Sequence, residues 1–589
     1  MGRALPAVGS PMPRSTGTVA ARSIVALAVA SLLGCGNGDG DSSGAGANAV
    51  EAGAPDLRGS TTAGTEAGGI DAWFVDDAEA SGLDFELETR LGTGPMLPEI
   101  VSGGGAAADF DGDGRLDLYL VQGTGAGGNR LFRNLDGRRF EDVTDRGAAS
   151  DAGRFGMGVV SGDYDGDGDI DLYVSNLGRD TLLRNDGEFR FTDVTDAAGL
   201  GDEGFAASAT FFDGDLDGDL DLFVTRYVDW DPAEEMDCRQ PSGAPDYCAP
   251  AQYDRPTTDL LYRNEGDGRF VDVSEESGIA GAVGTGLGVA FLKANDDELP
   301  DLFVANDGMP DHLWINRGGL RFSEEAVRSG CDRDLSGVAK AGMGVAIEDV
   351  DDDGDWDILV CNLGGETDSL HLNEGGRFVD GTARSGLGSA TRRYTRFGLG
   401  LVDFDRDGRL DLFAANGRVG VGGNVHDPAD PYAEPDLVLV GDEGGRFGRV
   451  STAGSAIREA RTSRGAVFGD FDDDGGVDIV VIDREAPVRL LRNTVGTDGA
   501  WAIFDVRGPS GGPAIGAEVV VELGDRTIRR TIRSDGSYLS SRDPRAHFGL
   551  GDLERIPRAT ITWRDGREIE LVDLEVDSVH RIEPPPRGT

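Results

Sequence analysis

Basic residues are scarce in this chain: 55 Lys and Arg stand against 107 Asp and Glu in 589 residues, a formal net charge of −52. With no basic patch or stripe to neutralise phosphates, nucleic-acid binding is excluded. Histidines number only five. His312, His371, His426 and His580 fall in no metal-site or triad spacing, and neither a P-loop nor a Cys-x-x-Cys occurs. His547, in "AHFGLG", reads as a hydrogen-bonded packing residue rather than a catalyst. Long apolar runs are lacking too. The stretch "IVALAVASLL", Ile24 to Leu33, has ten residues, about half of the roughly 20 needed to span a bilayer.

What the chain has in quantity is glycine, 92 residues, interleaved with short alternating apolar runs. That mixture favours many strands joined by tight turns. The acid is patterned rather than blocked and 39% of residues are hydrophobic, so the charge does not imply disorder.

Arg3, Arg14 and Arg22 precede the apolar run, the layout of an export signal over residues 1–34. The run ends in "LLGC", which resembles a bacterial lipobox; the resemblance implies cleavage before Cys35 and acylation of its thiol. An ordinary secretory signal is the alternative. Residues 35–69 are poor in large apolar side chains and read as a tether, with a reach of roughly 30 Å for a Gly/Ser-type coil. Gly36 lacks the acidic character associated with inner-membrane retention, so the expected address is the outer membrane, periplasmic or surface-exposed.

Seven copies of one nine-residue pattern follow, starting at Asp109, Asp163, Asp213, Lys293, Asp349, Asp403 and Asp470. Six carry aspartate at positions 1, 3, 5 and 9 and glycine at position 6. The acidic sets are Asp109, Asp111, Asp113 and Asp117; Asp163, Asp165, Asp167 and Asp171; and Asp213, Asp215, Asp217 and Asp221. They continue with Asp349, Asp351, Asp353 and Asp357; Asp403, Asp405, Asp407 and Asp411; and Asp470, Asp472, Asp474 and Asp478. Ca²⁺ takes six to eight oxygen ligands in flexible geometry, and alternate carboxylates around a glycine turn can wrap one ion. The spacing resembles the first half of an EF-hand loop, but strand replaces its helix and final glutamate. Solvated Asp/Gly turns are the alternative, and they leave the repulsion among four clustered carboxylates unexplained. About six structural calcium ions are therefore expected. In the fourth copy Lys293, Asn295 and Glu298 replace two aspartates and the glycine. Little or no calcium is expected there, with the Lys293 ammonium supplying part of the missing charge.

Each copy lies in a unit of four strand-sized pieces, with loop-to-loop spacings of 50 to 56 residues where uninterrupted. Seven such units predict an all-β, seven-bladed β-propeller over residues 70–496. The seventh unit lacks its last piece, and "WFVDDAEASGLDF" from Trp73 resembles it, so the N-terminal strand is expected to complete the ring. These units resemble FG-GAP/VCBS repeats, which build integrin α-subunit propellers. The resemblance implies that the calcium loops join the first and second strands of each blade. Two insertions, Arg226 to Pro256 and the segment from Asn416, are candidate binding surfaces. Cys238 and Cys248 can close a loop in the first; Cys331 and Cys361 either form a second pair or are buried free thiols.

Residues 497–585 alternate with period two and predict a small antiparallel β domain. "AIGAEVVVE" and "GSYLSSRDPRAHFGLG" resemble the ASPIC/UnbV domain that follows FG-GAP repeats in cartilage acidic protein and its bacterial relatives. The function expected is a calcium-stabilised binding or adhesion protein of the cell envelope. It would present a propeller surface to a protein or glycan partner and touch membrane only through a lipid anchor. The alternative is an envelope enzyme acting on polysaccharide or another large substrate, with catalytic acids hidden among the carboxylates.

Overall fold

The structure is a computed structural model that describes residues 72–586 apart from 126, 423–424, 451, 496–498 and 525. The export signal, the tether and Cys35 lie outside the described residues.

The strands sort into seven antiparallel units of four, two of which, those that open with Phe155–Gly162 and Glu203–Phe212, are joined into one eight-stranded sheet where Glu203, Gly204 and Phe205 pair with Arg179, Gly178 and Leu177. In the first, Gly105–Ala108 pairs with Asp117–Leu120, then Arg130–Asn134, then Phe140–Asp142. The same order recurs from Phe155–Gly162, Glu203–Phe212, Gly286–Leu292, Val345–Glu348, Arg396–Val402 and Ser463–Gly469. The seventh unit takes its outer strand from Phe74–Asp76, with Phe74 opposite Asn493. The first and last strands of the array are thus paired with each other. Innermost strands of successive units lie side by side in a closed circuit, Ser463–Gly469 next to Gly105–Ala108, which makes a propeller-like ring without an open end.

Aromatic contacts join neighbouring units. The side chain at loop position 2 packs on the outer-strand phenylalanine of the next unit. Phe110 meets Phe191 at 5.9 Å, Tyr164 meets Phe270 at 5.6 Å, and Phe404 meets Phe74 at 5.2 Å. Each such pair contributes about 0.5–1.5 kcal/mol beyond its buried area.

The C-terminal domain has two sheets. Arg526–Thr531, Glu518–Leu523, Arg555–Thr562 and Glu568–Glu575 form an antiparallel four-stranded sheet. Ala500–Val506 runs antiparallel to Ala546–Gly551 but parallel to Ser578–Ile582, so one pair departs from the all-antiparallel expectation. The last strand enters the second sheet after crossing from the first, and that crossover sets its direction.

Between Arg526–Thr531 and Ala546–Gly551 the chain leaves this domain and threads the centre of the ring. Val159 donates to the Leu539 carbonyl at 3.0 Å, Val345 to Ser537 at 3.0 Å and Ala107 to Ser541 at 3.1 Å. Thr210 and Phe291 both donate to the Asp535 carboxylate at 2.9 Å. Leu399 donates to the Ser537 hydroxyl at 3.2 Å, and Asp543 donates to Phe468 at 2.9 Å. Residues 535–543 therefore bond to the inner strand of every unit. This explains Gly104 among the glycines that open those strands; at Gly288 and Gly465 the close neighbour is instead the backbone of the adjacent unit, Met343 and Gly103. A Cβ on Gly104 would lie 2.1 Å from the Leu539 carbonyl oxygen. From the other side, Leu97–Val101 closes the channel, its Val101 carbonyl accepting from Tyr538 at 2.7 Å.

The insertion from Arg226 carries a Cys238–Cys248 disulfide, while Cys331 and Cys361 are free and buried. Among the described residues no helix is long and apolar enough to cross a membrane.

The channel packing gives a direct test. Gly104→Ala should lower the unfolding free energy by about 1–3 kcal/mol. Gly94→Ala, with no atom within 4 Å of the new Cβ, should change it little. Urea unfolding of the two variants checks this; equal midpoints would mean that the threaded segment is not tightly seated.

Candidate metal centres

Each acidic loop joins the first and second strands of its unit, and each position has its own task. Position 1 organises the turn: Asp109 accepts the amides of Asp113 at 3.0 Å and Gly114 at 2.9 Å. Asp163, Asp349, Asp403 and Asp470 do the same for positions 5 and 6 of their loops. Position 5 accepts the amide of position 7, as Asp113 does from Arg115 at 3.1 Å and Asp217 from Asp219 at 3.0 Å. Position 6 has positive φ throughout, 90° at Gly114 and 104° at Gly218, where any side chain is strained.

Position 9 is the joint. Asp117 accepts the position-2 amide of Phe110 at 3.0 Å on one oxygen and the third-strand amide of Asn134 at 2.8 Å on the other. The third-strand bond recurs at Asp171, Asp221, Asp301, Asp357, Asp411 and Asp478, between 2.7 and 2.9 Å.

Position 3 is different. One carboxylate oxygen each of Asp165, Asp215 and Asp351 is buried without a hydrogen-bond partner, and so is one of Asp213. Buried carboxylate oxygens are normally satisfied. Here they lie beside others: oxygens of Asp109, Asp111 and Asp117 fall within 4.8 Å of one another. So do those of Asp163, Asp165 and Asp171; Asp213, Asp215 and Asp217; Asp349, Asp351 and Asp353; and Asp403, Asp405 and Asp411. Burial, with the loop's other carboxylates adding, pushes Asp117, Asp221, Asp357 and Asp403 up to about 8. Asp213 and Asp349 rise to about 6 for the same reasons. A site that penalises its own charge and leaves hard oxygens unpartnered fits a divalent cation of the calcium type. In the fourth loop a cation is built in: the Lys293 ammonium lies 2.5 Å from Glu298 and 2.7 Å from Glu518 of the C-terminal domain.

Two further repeated residues escaped the sequence reading. The asparagine that ends the third strand reaches back to the preceding loop. Asn185 donates to the Phe110 carbonyl at 2.9 Å, Asn264 to Tyr164 at 2.8 Å, Asn316 to Gly214 at 2.7 Å and Asn493 to Phe404 at 2.9 Å. Asn134 closes the circle onto Phe471 at 2.8 Å. At the opposite end of five units, an acid just before the third strand holds the end of the second, and in the first unit Asn129 does so. Asp180 accepts from Asn176 at 2.7 Å, Asp311 from Asn306 at 2.8 Å and Asp436 from Asn416 at 2.8 Å. The signal lay in recurring phrases such as "DTLLRN", "DHLWIN" and "DSLHLN".

His547 packs as its neighbours implied. Its Nε2 donates to the Gly475 carbonyl at 2.8 Å, and burial pushes the ring down to about 4, so it stays neutral. It lines a half-open pocket of about 40 Å³ with Glu348, Arg530, Arg542 and Arg545. That volume holds a water or two and no sugar ring.

Family models match two parts of the chain. The model described as an FG-GAP-like repeat matches residues 109–174, 163–224, 293–360 and 349–414, and the one described as ASPIC and UnbV matches 508–588. Human cartilage acidic protein 1 is 25% identical over 547 residues, covering 87% of this chain and 77% of its own. The mouse protein of that name is 25% identical over 513 residues, covering 82% and 74%. Among solved structures, YCF48 from Cyanidioschyzon merolae is a looser likeness: 13% identity, TM-score 0.34, covering 67% of this chain and 96% of that one. The chain is an FG-GAP-like repeat protein with a C-terminal ASPIC and UnbV domain, homologous to cartilage acidic protein 1.

Proposed function

We propose that this protein is a calcium-stabilised binding or adhesion protein of the cell envelope. Calcium would be held by the carboxylates at positions 1, 3, 5 and 9 and the position-7 carbonyl of the six acidic loops. When bound it supplies the positive charge that clustered carboxylates require. The observation that carries this reading is the set of buried, unpartnered oxygens at Asp165, Asp215 and Asp351. Six divalent ions would bring twelve positive charges, leaving the chain near −40 from its formal −52. The surface therefore stays acidic and disfavours anionic partners.

The partner face is the one opposite the acidic loops. The C-terminal domain occupies the loop face, and both insertions leave from the far ends of second strands, after Arg226 and Asn416. They are braced there by a polar network: Tyr432 donates to Asp246 at 3.0 Å, Arg484 to Tyr247 at 2.6 Å and Tyr253 to Glu235 at 2.6 Å. Such bracing presents a rigid surface to a protein or glycan. The Cys238–Cys248 disulfide fits an oxidising, exported location. In this reading acylated Cys35 and the tether of residues 35–69 hold the folded part at the outer membrane.

Atomic emission on the purified mature chain should find about six calcium ions per molecule, and chelation should lower the melting temperature by roughly 10 °C or more. A melting curve indifferent to chelator and to added calcium would contradict the reading. Replacing residues 239–245 by a Gly/Ser segment should leave melting unchanged and abolish capture of the partner from envelope extracts or glycan arrays. Undiminished capture would move the binding surface elsewhere.

A further inference from the structure

Position 4 of the loops has positive φ in every full acidic copy. Gly112 and Gly166 fill it in the first two, at 73° and 71°. Leu216, Asp352, Arg406 and Asp473 fill it in the others, at 63°, 58°, 59° and 52°. A non-glycine residue there is strained, and the strain persists only where the surroundings hold it.

In three of these four loops position 4 touches the C-terminal domain. Asp352 pairs with Arg526 at 2.8 Å and Asp473 with Arg545 at 3.0 Å. The Arg406 carbonyl accepts the Gly551 amide at 2.9 Å. Position 6 is gripped as well: the Gly354 carbonyl accepts from Arg529 at 2.9 Å and the Gly475 carbonyl from His547 at 2.8 Å. In the second loop the Ser510 hydroxyl donates to the position-1 carboxylate of Asp163 at 2.6 Å. A Cβ on Gly549 would meet the Asp403 carboxylate at 1.9 Å and the Arg406 Cα at 2.6 Å, so the backbone of the domain sits directly on the sixth loop. In the fourth loop the sign is reversed: the loop offers the cation, Lys293, to Glu518 of the domain at 2.7 Å.

From this geometry we infer that ion binding by the acidic loops and seating of the C-terminal domain are a single linked equilibrium. The inference rests on the calcium reading above and goes beyond it. The domain grips loop atoms at positions 1, 4 and 6, whose placement depends on how the loop wraps. An ion that fixes the wrap favours the seated domain, and by linkage the seated domain favours the ion. Lys293 acts as a permanent cation that keeps one anchor in place when calcium is low. The threaded segment through the channel is then the part whose protection reports the state of all the loops.

Hydrogen exchange on the full mature chain, with calcium and with chelator, tests this. On chelation, amides of Ser537, Leu539 and Ser541 should exchange at least about tenfold faster, in step with the loops, while Arg555–Thr562 inside the domain keeps its protection. Calcium should restore them. Asp165→Asn, which alters a loop side chain without touching the domain, should release Gly508–Gly512 selectively in calcium. Loops that tighten with calcium while the channel amides and Gly508–Gly512 stay unchanged would overturn the linkage but leave the calcium reading standing. Loops that ignore calcium would overturn both.

Discussion

Like charge packed into a turn is the constraint on which the rest of this structure depends. Each loop gathers four carboxylates, and backbone amides neutralise only part of them. Positions 1 and 9 are bonded by amides of the same loop and of the third strand, as at Asp109 and Asp117. Position 3 keeps oxygens with no donor, as at Asp165 and Asp351. The fold builds a frame that holds those oxygens together, and arginines such as Arg133 beside Asp111 at 2.8 Å and Arg384 beside Asp351 at 3.2 Å offset only part of the charge. Such an arrangement costs stability unless a cation offsets it.

That local problem is tied to the global architecture through one side chain per unit. The asparagine ending the third strand gives its amide to its own loop and its side chain to the previous one, as Asn185 does with Asp171 and Phe110. Such bridges run around the ring in six of the seven units, and the one from Asn134 to Phe471 joins the first unit to the last. Disturbing one loop therefore loads its neighbour, and the strand pairing of Phe74–Asp76 onto Arg489–Asn493 completes the mechanical circuit. The sixth unit shows the rule by its exception. Gly441 replaces the asparagine, and a Cβ there would sit 2.1 Å from the Leu410 carbonyl.

Much of this was legible from spacing alone. The aspartate pattern located every loop, the period gave the four-strand unit, and the piece at Trp73 identified the strand that completes the last sheet. Lys293 in the fourth copy also stood out, but its partner Glu518 did not, because 225 residues of chain separate them. The threaded segment Arg533–Arg545 was illegible for a similar reason. Its phrase "GSYLSSRDPRAHFGLG" carried a family resemblance but no sign of a distant partner, and only the ring around it shows that it bonds to seven inner strands. The inner-strand glycines were visible as a repeated phrase, yet their purpose, close approach by a distant backbone, needs the Leu539 carbonyl beside Gly104. Position 4 lay outside the pattern of positions 1, 3, 5 and 9, so Asp352 and Asp473 carried no reading of their own, and only the structure shows them paired with Arg526 and Arg545.

Anomalous diffraction from crystals grown in calcium addresses the central claim most directly. Ions are expected in the loops that begin at Asp109, Asp163, Asp213, Asp349, Asp403 and Asp470, with position-3 oxygens at about 2.3–2.6 Å, and none beside Lys293. Empty acidic loops, or an ion bound equally well in the fourth, would contradict it.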